Sequence, residues 1–205
     1  CELGVSVVQF DAPVLTEVIF SHHQTRSFMC AALSEKQDFA AELQFAKSLI
    51  TQIFEYARNK NIKTALHVCR GNWSKDESVL LRGPYTSLVD LFESALPDIL
   101  MLEFSTPRAG ELSSLLESEI LRQKCILGLG VINPRSDEVE TVDQIVQRAE
   151  KALNYLPPEQ IWLNPDCGFA TFSNRPLNGF DIIEAKLKVL NEAKSILRER
   201  YVSRT

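Results

Sequence analysis

No run of apolar residues in this 205-residue chain approaches the roughly 18 that a membrane-crossing helix needs. The opening segment CELGVSVVQFDAP has neither the basic n-region nor the cleavage pattern of a secretory signal. A cytoplasmic protein that does not engage a membrane is therefore expected. Positive charge is also in short supply: 22 Lys and Arg stand against 27 Asp and Glu, a formal net charge of -5. The two signs are interleaved, so no basic stripe exists to meet nucleic acid. There is no internal repeat and no long Gly/Ser linker, so one domain, or most of one, is expected. Paired cysteines are missing too. Cys1, Cys30, Cys69, Cys125 and Cys167 are odd in number, widely spread and mostly inside apolar segments, which argues against a disulfide framework and leaves burial or metal binding to explain them.

What the chain does have is enough apolar mass for a core, 45% of residues, arranged in two alternating patterns. Gly4 to Phe10, Ile62 to Val68, Asp98 to Leu102, Cys125 to Ile132 and Ile161 to Leu163 are continuous apolar runs of strand length. Between them, residues 35–59, 85–96, 109–123, 142–156 and 180–201 carry apolar residues at helical spacing, for example Phe39, Leu43, Ala46, Ile50, Phe54 and Ala57. Helices that alternate with uniformly apolar strands predict a parallel sheet covered on both faces. A closed eight-stranded barrel takes about 250 residues, so five strands fit either an open sheet or part of a barrel.

In parallel α/β proteins the active site lies at the carboxyl ends of the strands. Those ends are Asp11, His67-Val68-Cys69, Glu103, the vicinity of Asn133, and Asn164 to Gly168. Side chains alternate along a strand, so His67 and Cys69 point the same way. With Glu103 and Cys167 they make a set of one nitrogen, one oxygen and two sulfurs, which suits tetrahedral zinc better than magnesium or calcium. The plain alternative is burial, since cysteine is among the most buried residue types and a lone His-x-Cys is a weak motif. Cys125 reads as core, and His22 with His23 as a solvated loop pair.

The segments QFDAP (9–13), LHVCRGNW (66–73), LEFSTPR (102–108), GLGVINPRS (128–136) and LPPEQIWLNPDCGFAT (156–171) resemble, in order, the catalytic barrel of cobalamin-independent methionine synthase. The resemblance implies a TIM (β/α)8-type barrel, here its C-terminal five or so strands over residues 1–205. It further implies zinc held by His67, Cys69, Glu103 and Cys167, and methyl transfer to homocysteine from a methyl-folate or other donor, giving methionine. It places Asp11 on the amino group of homocysteine and Glu17 on the folate donor. The implied mechanism has the homocysteine sulfur enter the open zinc position, lose its proton and attack the methyl group. Arg70 and Asn72 resemble a short, single-barrel subgroup of methionine-synthase-like proteins and are expected to contact substrate.

Three departures bear on that expectation. Ala12 stands where the family carries a glutamate, and the family's proton-donating histidine is replaced, by spacing, near Arg135. The family barrel also has about three more strands upstream. A piece without them would leave two sheet edges open, so the chain is expected to be the C-terminal part of a longer protein. Homo-oligomerisation is one way for such a piece to cover its edges, and activity of the piece alone is not implied. Other readings stay open: methylation of a different thiol or from a corrinoid or small methylated donor, a metal-free decarboxylase-like barrel, or a non-catalytic zinc-binding domain.

Overall fold

The computed structural model describes residues 4–20, 38–172 and 174–202. Among these residues five strands form one sheet: β1 (Val7–Asp11), β2 (Lys63–Val68), β3 (Ile99–Glu103), β4 (Ile126–Ile132) and β5 (Ile161–Pro165). Every pairing is parallel and the strands lie side by side in chain order. That single winding direction belongs to a barrel wall, because a doubly wound sheet reverses its strand order at a switch point. Among the described residues, β1 and β5 are the open edges.

Among the described residues, seven α-helices connect and cover the strands: α1 (Pro13–Phe20), α2 (Phe39–Arg58), α3 (Val89–Ala95), α4 (Ser113–Leu116), α5 (Glu119–Lys124), α6 (Val142–Leu153) and α7 (Phe180–Tyr201). Local chemistry sets their starts. Asp38 accepts a hydrogen bond from the Ala41 amide at the head of α2, and Thr141 with Gln144 forms a reciprocal capping box on α6. No helix among the described residues is long and apolar enough to cross a membrane.

The strand register sorts side chains onto two faces. Phe10, Leu66, Val68, Leu100, Leu102, Leu127 and Leu129 face the helices and join Phe54, Leu91, Phe92, Ile145 and Val146 in one core. Burying each such side chain contributes about 1.5–3 kcal/mol relative to leaving it exposed. Asp11, His67 and Met101 are register partners across β1, β2 and β3, and Glu103 is the partner of Gly130, itself paired with Asn164. The opposite face thus gathers the polar residues, and the fold delivers them together at the carboxyl end.

Two expected elements differ in the structure. The single helix over 109–123 is broken into a short 3-10 turn (Pro107–Ala109), α4 and α5. Gly110 sits at φ 73 and Ser118 is an extended N-cap accepting from the Leu121 amide, so the chain stops and restarts there. The helix expected over 85–96 begins instead as a 3-10 turn, Tyr85–Leu88. His22, His23, Cys1 and Cys30 lie outside the described residues.

Candidate metal centre

His67 is the penultimate residue of β2, and its ring is held from behind. Nδ1 lies 2.9 Å from the carbonyl oxygen of its register partner Met101. In the neutral ring that bond keeps the proton on Nδ1 and leaves the lone pair on Nε2, which is buried and without a hydrogen-bond partner. A buried imidazole nitrogen with no partner is costly unless something fills its lone pair.

Two residues on, Cys69 leaves the strand with its carbonyl capped by the Thr16 hydroxyl of α1 at 2.6 Å. Its sulfur accepts the Gly71 amide at 3.2 Å and lies 3.8 Å from the sulfur of Cys167. The turn requires glycine at 71, which has φ 102, and any Cβ there would run into the Trp73 ring. Cys167 arrives from the segment after β5, steadied by Asn72 Nδ2 donating to the Gly168 carbonyl at 2.6 Å. The ligand atoms of His67, Cys69 and Cys167 all lie within 4.8 Å of one another, the group of metal-capable donors found among the described residues.

Glu103, expected as a fourth ligand, is not in that group. Both of its oxygens already accept: Oε1 takes the Arg70 amide at 2.9 Å and Oε2 takes Arg108 Nη2 at 3.0 Å. Behind it runs a buried ionic network. Arg135 donates to Glu77 Oε1 and to Asp166 Oδ2, both at 3.0 Å, and lies 3.6 Å from Glu103 Oε2. Asp166 also receives the Phe104 and Ser105 amides at 3.1 and 3.0 Å, and the Ser105 hydroxyl. Burial, and then the Asp166 charge, raises the pKa of Glu103 against the pull of Arg135 and Arg108.

Asp11 ends β1 on the same face as His67, exposed, and accepts from Gln9 Nε2 at 2.8 Å. Glu17 is buried on α1. Arg70 is fully buried, its guanidinium 4.1 Å over the Tyr85 ring and 5.5 Å from that of Phe20, with none of its three side-chain nitrogens hydrogen-bonded. Asn72 Oδ1 is likewise buried without a partner. Cys125 is core, as expected, with its thiol donating to the Pro97 carbonyl at 3.0 Å. Reasoning from strand ends overlooked Asp166, Arg108 and Glu77. Asp166 sits beside Cys167 at the very strand end already singled out, and a second charged residue there was the available signal.

The sulfurs and the imidazole titrate as a unit. Hydrogen bonding to Cys167, followed by burial, pushes the Cys69 thiol well above its ordinary value, while the same bond lowers Cys167. Burial alone would lower His67, but Cys69, the Met101 carbonyl and Glu103 outweigh it and push the ring up to about 9. A metal takes neutral imidazole and thiolate, so at pH 7 it must displace protons from both His67 and Cys69. Affinity for such a metal should therefore rise with pH, about tenfold per unit for each proton displaced, and the His67 contribution should level off above about 9. Calorimetry in buffers of different ionisation enthalpy checks this, and binding without proton release would contradict it.

Comparison with known proteins agrees in direction. A profile described as "Cobalamin-independent synthase, Catalytic domain" matches residues 2–178. A methionine synthase of Saccharolobus solfataricus is 26% identical over 203 residues, covering 97% of this chain and 46% of that protein. One of Pyrococcus abyssi is 33% identical over 114 residues, 56% of this chain and 29% of that protein. A solved structure of a B12-independent methionine synthase from Shewanella sp. W3-18-1, in complex with selenomethionine, superposes with TM-score 0.67 at 19% identity. The match covers 97% of this chain and 50% of that one, and shows a shared fold. The chain thus spans half or less of the length of each of these proteins.

Proposed function

Because the chain belongs to the cobalamin-independent synthase catalytic-domain family, we propose that it serves zinc-dependent methyl transfer to the thiol of homocysteine, giving methionine. The observation that carries this is the donor set: two sulfurs and an unpartnered buried imidazole nitrogen within 4.8 Å at the carboxyl end of a parallel sheet. Nitrogen and sulfur donors in that combination suit zinc. His67, Cys69 and Cys167 hold it, and Glu103 is the fourth protein ligand, each of its oxygens keeping a lone pair beyond the one that accepts Arg70 or Arg108. The five strands make up the C-terminal part of the catalytic barrel, with further strands closing the open edges of β1 and β5.

Zinc bound there would keep a substrate thiol deprotonated near neutral pH while leaving it nucleophilic. Asp11, exposed beside His67, orients the substrate ammonium and so fixes where the sulfur sits. Arg70 and Asn72 both offer buried polar atoms without partners near the donor set, which supports a role in contacting a polar substrate. Glu17 contacts the methyl donor from α1. The sulfur–carbon bond forms as the bond between methyl and donor breaks. A guanidinium at position 135, ringed by three carboxylates, stays charged and gives up no proton. This favours a corrinoid or small methylated donor over methyl-folate, whose amine leaves best when protonated.

The test is incubation of the purified chain with homocysteine and each donor class, with methionine read by mass spectrometry. Product that vanishes with a chelator and returns with zinc supports the proposal. Stoichiometric zinc that excludes homocysteine would make this a non-catalytic binding domain, and chelator-insensitive turnover would sink the metal's role. In the same assay, Arg70→Gln should raise KM for homocysteine about tenfold, the value of a lost charged hydrogen bond, with zinc content unchanged. A KM within about twofold of wild type would remove Arg70 from substrate contact.

A further inference from the structure

The Arg135 guanidinium reaches both sheet ends that carry the metal centre. One side holds Asp166, the chain neighbour of Cys167, and the other faces Glu103 at the end of β3. Asp166 in turn grips the Phe104 and Ser105 amides beyond β3. Strand β4 runs between β3 and β5, and at this level it contributes only Gly130, whose missing side chain leaves the space that Asp166 occupies. β4 ties the two ends only through its backbone, the Gly130 carbonyl accepting the Phe104 amide and the Ile132 carbonyl the Asp166 amide, so the side-chain link across them falls to Asp166 and Arg135.

The loop that delivers Arg135 is itself pinned. Glu140 Oε1 accepts the Asn133 amide at 2.7 Å and its other oxygen takes buried Lys186 of α7 at 2.9 Å. Asn178 Nδ2 donates to the Pro134 carbonyl at 2.6 Å, and the Arg135 amide donates to Asn133 Oδ1 at 3.0 Å. A long, flexible side chain is thereby made into a fixed strut. Its removal would leave Glu77, Glu103 and Asp166 facing Arg108 alone, with Glu103 and Asp166 repelling each other in a buried site.

We propose that Arg135 is a positioning residue of the metal centre, holding Cys167 opposite Cys69 through Asp166 and so setting metal affinity without binding metal. This rests on the zinc reading above. It assigns to a permanently charged residue the support that outer hydrogen-bond partners give to metal ligands, typically 10–100-fold in affinity.

The experiment loads the purified chain with cobalt(II) in place of zinc and follows the thiolate charge-transfer band. Arg135→Lys keeps the charge but cannot bridge Asp166, Glu77 and Glu103 at once, so affinity should fall about 10–100-fold, with the band per bound cobalt roughly halved as Cys167 is lost. Arg135→Gly should behave likewise, and added guanidinium, but not sodium at equal ionic strength, should restore affinity and band together. A merely structural loss of stability would not show that selective rescue. Wild-type affinity and spectrum in the folded Lys variant, or a folded Gly variant indifferent to guanidinium, would overturn the role of Arg135. Failure of the wild-type chain to show a thiolate band would instead remove the zinc reading, and this inference with it.

Discussion

Cys167→Ser should strip the chain of zinc: from near one ion per chain to under about a tenth after dialysis, with methyl transfer falling in step. If a total zinc-binding free energy of about 10–16 kcal/mol is shared among four ligands, each contributes roughly 2.5–4 kcal/mol, or about 70- to 900-fold in affinity. A serine hydroxyl does not supply a thiolate's charge, and the loss falls on the donor furthest in sequence from the other two. Cys125→Ser is the control. That thiol bonds a backbone carbonyl inside the core, and burial pushes it up to about 12, so zinc content should not change. Elemental analysis of both variants decides the matter, and equal zinc in Cys167→Ser and wild type would refute the centre as drawn.

Gly130→Ala should damage stability and site together. A Cβ at 130 would fall within 2.6 Å of the Leu102 carbonyl and closer still to the Asp166 carboxylate. Neither is the free end of a flexible side chain: one is backbone in a paired strand, the other is held by Arg135 and two amides. Overpacking of this kind costs about 1–3 kcal/mol. At about 2 kcal/mol, Tm should fall by roughly 4–8 °C for a chain of this size. Because the displaced group is Asp166, zinc affinity should drop as well, which separates this variant from ordinary core overpacking. A melting curve and a chelator competition read the two effects, and a lowered Tm with wild-type affinity would show that Asp166 does not govern Cys167.

The architecture was readable because its signals are local. Each strand is a continuous apolar run between helical stretches, and alternation alone puts His67 and Cys69 on one side. The break at 110–118 was less readable, since apolar periodicity continues through it while a glycine with positive φ and a serine cap interrupt the helix. The engagement of Glu103 was not readable at all. Its partners Arg70, Arg108 and Arg135 come from three different loops, and only the folded register shows that both oxygens of this strand-end carboxylate already have partners. Arg70 makes the same point in reverse: a loop arginine is ordinarily a surface group, yet here it is sealed between rings.

His67 and Cys69 are two residues apart, whereas Cys167 follows Cys69 by 98 positions and emerges only after β5. During synthesis the first pair leaves the ribosome long before the third donor exists, and two donors grip an ion weakly and without geometric selectivity. The full sulfur and imidazole set therefore exists only once β5 has docked. Metal binding at this site would thus report that β5 has joined the sheet.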